Sequence, residues 1–166
     1  MEALAAFLGK ISNYNLLNNL IPGAILCVLL KHLVGYDFMK VGTLELMVIF
    51  YFVGMVNGRI GSLFVEWFLK KIHLVTYRDH KQFVETEQKD KKMVYLSETN
   101  NMYRSMISVA FTALFAKLYH VSVDLQWEWG NISEWIVLLA LLVLFVCAYR
   151  KQTNYIVSRI DVHTGH

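Results

Sequence analysis

The chain has 166 residues, of which 56% are hydrophobic, 14% aromatic and 17% charged, with one proline and a formal net charge of +3. At ~100–200 residues per domain this length holds one domain, and so little polarity excludes a disordered chain or a basic nucleic-acid-binding tail. A mean hydropathy of +0.41, with the apolar residues in four blocks separated by charge, predicts an all-α integral membrane protein. The expected architecture is a single transmembrane domain over 1–166: an N-terminal interfacial helix, four transmembrane helices and a short cytoplasmic helical hairpin.

In chain order, Leu4, Phe7, Leu8 and Ile11 recur at i, i+3, i+4 and i+7, the pattern of a short helix lying in the membrane interface. The start Met-Glu has no basic run ahead of it and does not read as a signal peptide. A span needs roughly 20 mostly apolar residues. The first candidate, 20–34, is the shortest, with Asn18, Asn19 and Pro22 at its start and Lys31 and His32 at its finish. Proline is tolerated in a first helical turn, where its missing N–H costs little. The second, 44–69, is uncharged from Leu46 to Val56 and then carries Asn57, Arg59 and Glu66. Residues 70–101 are too few for an independent domain but suffice for a helical hairpin, whose second arm is expected to begin near Lys89 and run on into the third span. That third span, 102–121, is interrupted only by Arg104 and Lys117 near its ends, where long basic side chains snorkel. The fourth, 132–149, contains the uncharged run Trp135–Tyr149.

Lys and Arg collect on the cytoplasmic side of membranes. Lys70, Lys71, Arg78, Lys81, Lys89, Lys91 and Lys92 all fall between the second and third spans, whereas the next connection has Asp124, Glu128, Glu134, Trp127 and Trp129. Both termini are therefore expected inside, in a multi-pass membrane protein. Lys40, in the expected outer loop, runs against the rule.

A charge inside the bilayer costs about 2.5–3.5 kcal/mol on insertion scales, so Arg59 needs a reason to be where it is. It lies eleven residues before Lys70, roughly 16 Å along a helix. Glu66 follows seven residues later on nearly the same face, and Asn100, Asn101 and Arg104 enter the third span from the same side. Two readings stay open: a polar clamp between the second and third spans, or a hydrated pore lined by Asn57 and Arg59. Gly54, Gly58 and Gly61 form a small-residue strip containing G-x-x-x-G. Such strips bring helices close, either within the chain or between copies.

Chemistry is sparse. No nucleophile, zinc, phosphate-loop or paired-cysteine motif occurs, so neither an enzyme nor a cofactor is expected. Cys27 and Cys147 both sit in apolar blocks and read as thiols rather than a disulfide or metal pair.

The segments Tyr14-Asn15-Leu16-Leu17-Asn18-Asn19-Leu20-Ile21-Pro22-Gly23, Gly58-Arg59-Ile60-Gly61-Ser62-Leu63 with Glu66, and Ser97-Glu98-Thr99-Asn100-Asn101-Met102-Tyr103-Arg104 resemble a family of small four-helix bacterial membrane proteins of anti-phage operons. The resemblance is to the channel subunits of Hailong systems, and secondarily to the membrane subunits of Kiwa systems. It implies a homo-oligomeric, tetrameric channel that disrupts membrane potential when opened. It also implies gating by a nucleotide or oligonucleotide product of a nucleotidyltransferase, or by a cytoplasmic defence partner. Lys70, Lys71, Arg78, Lys81, Lys91 and Lys92 are the cations available to such a ligand. The alternative is a membrane-anchored scaffold that conducts nothing and recruits a cytoplasmic effector.

Overall fold

The computed structural model describes residues 16–123 and 132–164, and every regular element among them is helical. A π-helical turn, Leu16–Leu20, leads into α1 (Ile21–Val34). Then come α2 (Thr43–Lys71), α3 (His80–Lys89), α4 (Lys92–Val123) and α5 (Ile132–Thr164). The interfacial helix expected around Leu4–Ile11 lies outside the described residues, as do Trp127 and Trp129.

Three helices, α2, α4 and α5, are long and apolar enough to cross a bilayer, and the chain is a membrane protein on that ground. α1 is apolar but has 14 residues, about 21 Å at 1.5 Å per residue, short of a full span. Pro22 occupies its first turn, and Gly35 ends it at φ 75°, with the Gly35 and Tyr36 N–H groups bonded back to the Lys31 and Leu30 carbonyls. Only glycine takes this left-handed position without strain. α2 starts at Thr43, where the Glu45 carboxylate accepts the Gly42 N–H at 3.1 Å.

The helices outrun the apolar blocks. α4 runs unbroken from Lys92 through the third span, close to the start near Lys89 expected for the hairpin's second arm, and α5 continues to Thr164 past the apolar run that ends at Tyr149. Charge at Arg150 and Lys151 marks the bilayer boundary and does not stop a helix, because no proline or glycine follows before Gly165. Beyond that boundary Met93, Ile156 and Ile160 are buried together, with Phe83 of α3 and Leu96 packed against them. This is a small apolar core beyond the apolar run of α5. Two further clusters form among the long helices. Leu26, Val109, Ala113 and Leu138 fill one half; Val65, Leu69, Val75, Ile107 and Tyr149 fill the half toward the basic end.

Lys117 pairs with Glu134 at one end of α4 and α5, and Thr153 Oγ1 donates to Asn100 Oδ1 at the other, so the two helices are antiparallel. Lys117 does not snorkel. It is 3% exposed, held by Glu134 and seated over the Trp135 ring at 4.9 Å.

Candidate functional site

The buried face of α2 is spelled by Gly54, Asn57, Gly61 and Val65, spaced by three or four residues. Gly54 lies against the Asn19 backbone: a Cβ there would be 2.6 Å from the Asn19 carbonyl carbon. Gly23 of α1 meets the Phe50 carbonyl group and the Gly54 nitrogen just as closely, its Cβ position being 2.7 Å from that nitrogen. A Cβ on Gly61 would lie 3.3 Å from the Arg104 carbonyl oxygen and 3.4 Å from Ser108 Cβ. Gly58 has more room, a Cβ there being 3.8 Å from Ser105 Oγ and 4.0 Å from Asn19 Oδ1. The glycine strip therefore packs within the chain, against the entry to α1 and against α4.

Between the glycines sits a polar node. Asn57, 1% exposed, donates from Nδ2 to the Ser105 carbonyl at 3.0 Å, and its own carbonyl accepts from Ser108 Oγ at 2.9 Å. Interhelical bonds of this kind in membranes average about 0.6 kcal/mol. Their larger effect is to fix register, since a one-turn slip strands buried polar groups.

Toward the basic end α2 changes pitch. Gly61–Val65 is a π-helical turn, which inserts about one residue and rotates everything after it by roughly 100° relative to an uninterrupted α-helix. Arg59 and Glu66, which an unbroken helix would put nearly on one face, are separated by it. Glu66 turns inward and pairs with Arg104 Nη1 at 2.6 Å and Lys70 Nζ at 2.7 Å. Arg59 turns outward. It is exposed on a stripe with Phe52, Met55, Val56 and Leu63, themselves 40–67% exposed. The clamp between the second and third spans is thus Glu66–Arg104, and Arg59 is not part of it.

Below the clamp the α2–α3 connection is pinned to α5. The Tyr77 and Tyr149 hydroxyls share a hydrogen bond. Although 39% of the Tyr77 surface is exposed, its hydroxyl is turned inward, and burial pushes the phenol well above its ordinary pKa. Arg78 grips Asp161 through Nε at 2.7 Å and Nη2 at 2.9 Å, and Asp90 pairs with Arg159. The Lys92 N–H, ahead of Arg159, holds the Asp90 carboxyl below its usual range. Gln152 Nε2 donates to the Leu96 carbonyl at 3.1 Å.

The site residues expected from sequence thus divide. Asn57, Glu66, Asn100 and Arg104 join helices, and Asn101 is half-buried beside Asn100. Among the expected ligand cations, Lys70 and Arg78 are engaged by carboxylates, Lys71 lies over Trp67 at 4.8 Å, and Lys81 is 4.0 Å from Glu85. Lys91 and Lys92 line a groove of about 730 Å³ with Tyr95, Tyr155, Ser158 and Arg159. The α5 side of that groove was not legible in sequence, where Arg150 and Lys151 served only to close a span. The i, i+4 recurrence of Lys151, Tyr155 and Arg159 was the available signal. Arg159 in this groove is already held by Asp90, and Lys151 Nζ is 5.9 Å from the Tyr155 ring centroid. No protein-family model matches the sequence, and neither a curated protein nor a solved structure matches it.

Proposed function

We propose that the chain is the subunit of an oligomeric membrane channel, expected to be a homotetramer, that dissipates membrane potential when open. The observation that carries this reading is Arg59: a cation on the exposed face of a spanning helix, more than two turns inside its basic end, whose nearest acid on α2 is taken by Arg104 and Lys70. Facing lipid it would cost about 2.5–3.5 kcal/mol. Facing a shared aqueous path it would not, and copies around an axis would form a ring of charge bracketed by Phe52, Met55, Val56 and Leu63. Rings of charge select ions, and apolar constrictions beside them close by dewetting.

In this reading α1, lengthened by the π-helical turn Leu16–Leu20 that leads into it, completes four spans in a bacterial inner membrane, with both termini cytoplasmic, since the basic connection and the basic end of α5 share one side. The hairpin of α3 and the start of α4 is the cytoplasmic face. The channel acts as an anti-phage effector without enzymatic activity, held closed or gated by a nucleotide or oligonucleotide product of a nucleotidyltransferase, or by a cytoplasmic defence partner. The groove lined by Lys91, Lys92 and Tyr95 is the surface for such a ligand, because its cations and exposed rings suit phosphates and bases. The helical layer around Met93 and Ile160 favours the second reading, a non-conducting scaffold. Purified protein in planar bilayers decides between them. The channel reading expects discrete conductance steps from an oligomer; the scaffold reading expects none, in the oligomer and after every nucleotide addition.

A further inference from the structure

Facing the bilayer at its basic end, α2, α4 and α5 leave a cleft of about 430 Å³ between them, within the ~300–1,000 Å³ range of small-molecule sites. Phe64, Trp67 and Phe68 of α2, Phe111 of α4, and Leu142 and Val146 of α5 form its walls, and no charged side chain lines it. Such a space does not hold water, which needs polar partners. Phe64 belongs to the π-helical turn Gly61–Val65, a distortion frequent at functional sites. Two cations stand one turn beyond the walls. Lys71 packs its ammonium over the Trp67 ring at 4.8 Å, while the carboxylate nearby, on Glu66, is held by Lys70 and Arg104. Arg150 follows Val146 by four residues on α5 and is exposed.

An apolar slot with a tryptophan in its wall, Lys71 over that ring, and Arg150 one helical turn past Val146, where it also lines a groove with Cys147 and Lys151, has the chemistry of one molecule. We infer that the cleft binds an anionic phospholipid, with an acyl chain between Phe111 and Leu142 and the phosphate at Lys71 and Arg150. Basic pockets between transmembrane helices hold anionic headgroups in this way. The acyl chain lies against the π-helical turn that sets the phase between Arg59 and Glu66, so occupancy supports the outward placement of Arg59. The inference holds whether or not the chain conducts.

Native mass spectrometry of the detergent-solubilised protein tests it, with phosphatidylglycerol, phosphatidylcholine of the same acyl chains, and glycerol phosphate as probes. The wild type is expected to retain phosphatidylglycerol at least fivefold better than phosphatidylcholine and not to bind glycerol phosphate. Lys71→Gln with Arg150→Gln should bring phosphatidylglycerol down to the phosphatidylcholine level. Leu142→Trp, which fills the slot, should remove both lipids. Phe111→Ala, at a half-exposed position that tolerates truncation, should weaken both severalfold in a protein that folds normally. Equal retention of the two lipids in the wild type overturns the inference, as does retention unchanged by Leu142→Trp and Phe111→Ala. Glycerol phosphate competing as well as the whole lipid would make the ligand a free phosphate. A changed subunit number in Leu142→Trp, with lipid retention intact, would assign the cleft to a helix of a second copy.

Discussion

Gly54→Ala is expected to abolish the folded protein, while Gly58→Ala, one helical turn away in the same G-x-x-x-G, leaves it near wild-type stability. The added methyl at position 54 would sit 2.6 Å from the Asn19 carbonyl carbon. That obstacle is backbone and cannot rotate aside. At position 58 the nearest groups, Ser105 Oγ at 3.8 Å and Asn19 Oδ1 at 4.0 Å, make ordinary van der Waals contact with a new methyl. Overpacking commonly costs about 1–3 kcal/mol where side chains can adjust, so Gly54→Ala should exceed that range and Gly58→Ala fall below it. Thermal unfolding in mild detergent, with yield of monodisperse protein, reads both. Equal behaviour of the two variants would show that α1 does not pack on α2 through Gly54.

Arg104→Ala is expected to destabilise the α2–α4 contact by about 1.5–3 kcal/mol, the range for a hydrogen bond to a charged group, whereas Arg59→Ala leaves stability unchanged. The Glu66–Arg104 side chains are 22% and 21% exposed, so the pair is screened less than a surface bridge and more than a core one. Lys70, also on Glu66, prevents complete loss of compensation. For the same reason the double swap Glu66→Arg with Arg104→Glu should recover only part of the loss, because the new arginine faces Lys70. A coupling measured by the four-member cycle of thermal stabilities checks this. Additive single effects would mean that the pair does not clamp the helices.

Much of this was legible in the sequence because hydrophobic periodicity and length act locally. The run Trp135–Tyr149 could only be membrane helix, and Glu66, Asn100 and Arg104 were recognisable as one neighbourhood from their common distance to the basic end. The phase of α2 was not legible. A π-helical turn carries no distinctive residue pattern, and in Gly61–Val65 it arises where Gly61 must approach the Arg104 carbonyl. One inserted residue parts Arg59 from Glu66 and leaves it on the outer face, outside the clamp that was one of its two expected roles. The extent of α5 was illegible for a different reason: hydropathy reports where the bilayer stops, and Ile156 and Ile160 find their partner, Met93, far away in the chain.

The most direct test of the proposed channel is the reversal potential across a planar bilayer with a salt gradient, compared between wild type and Arg59→Glu. Because Arg59 takes no part in the clamp, the variant should assemble normally. A ring of like charge sets the potential that permeating ions meet, so the reversal potential should shift toward the cation equilibrium value. An Arg59→Glu assembly that conducts with the wild-type reversal potential would contradict the placement of Arg59 on the conduction path.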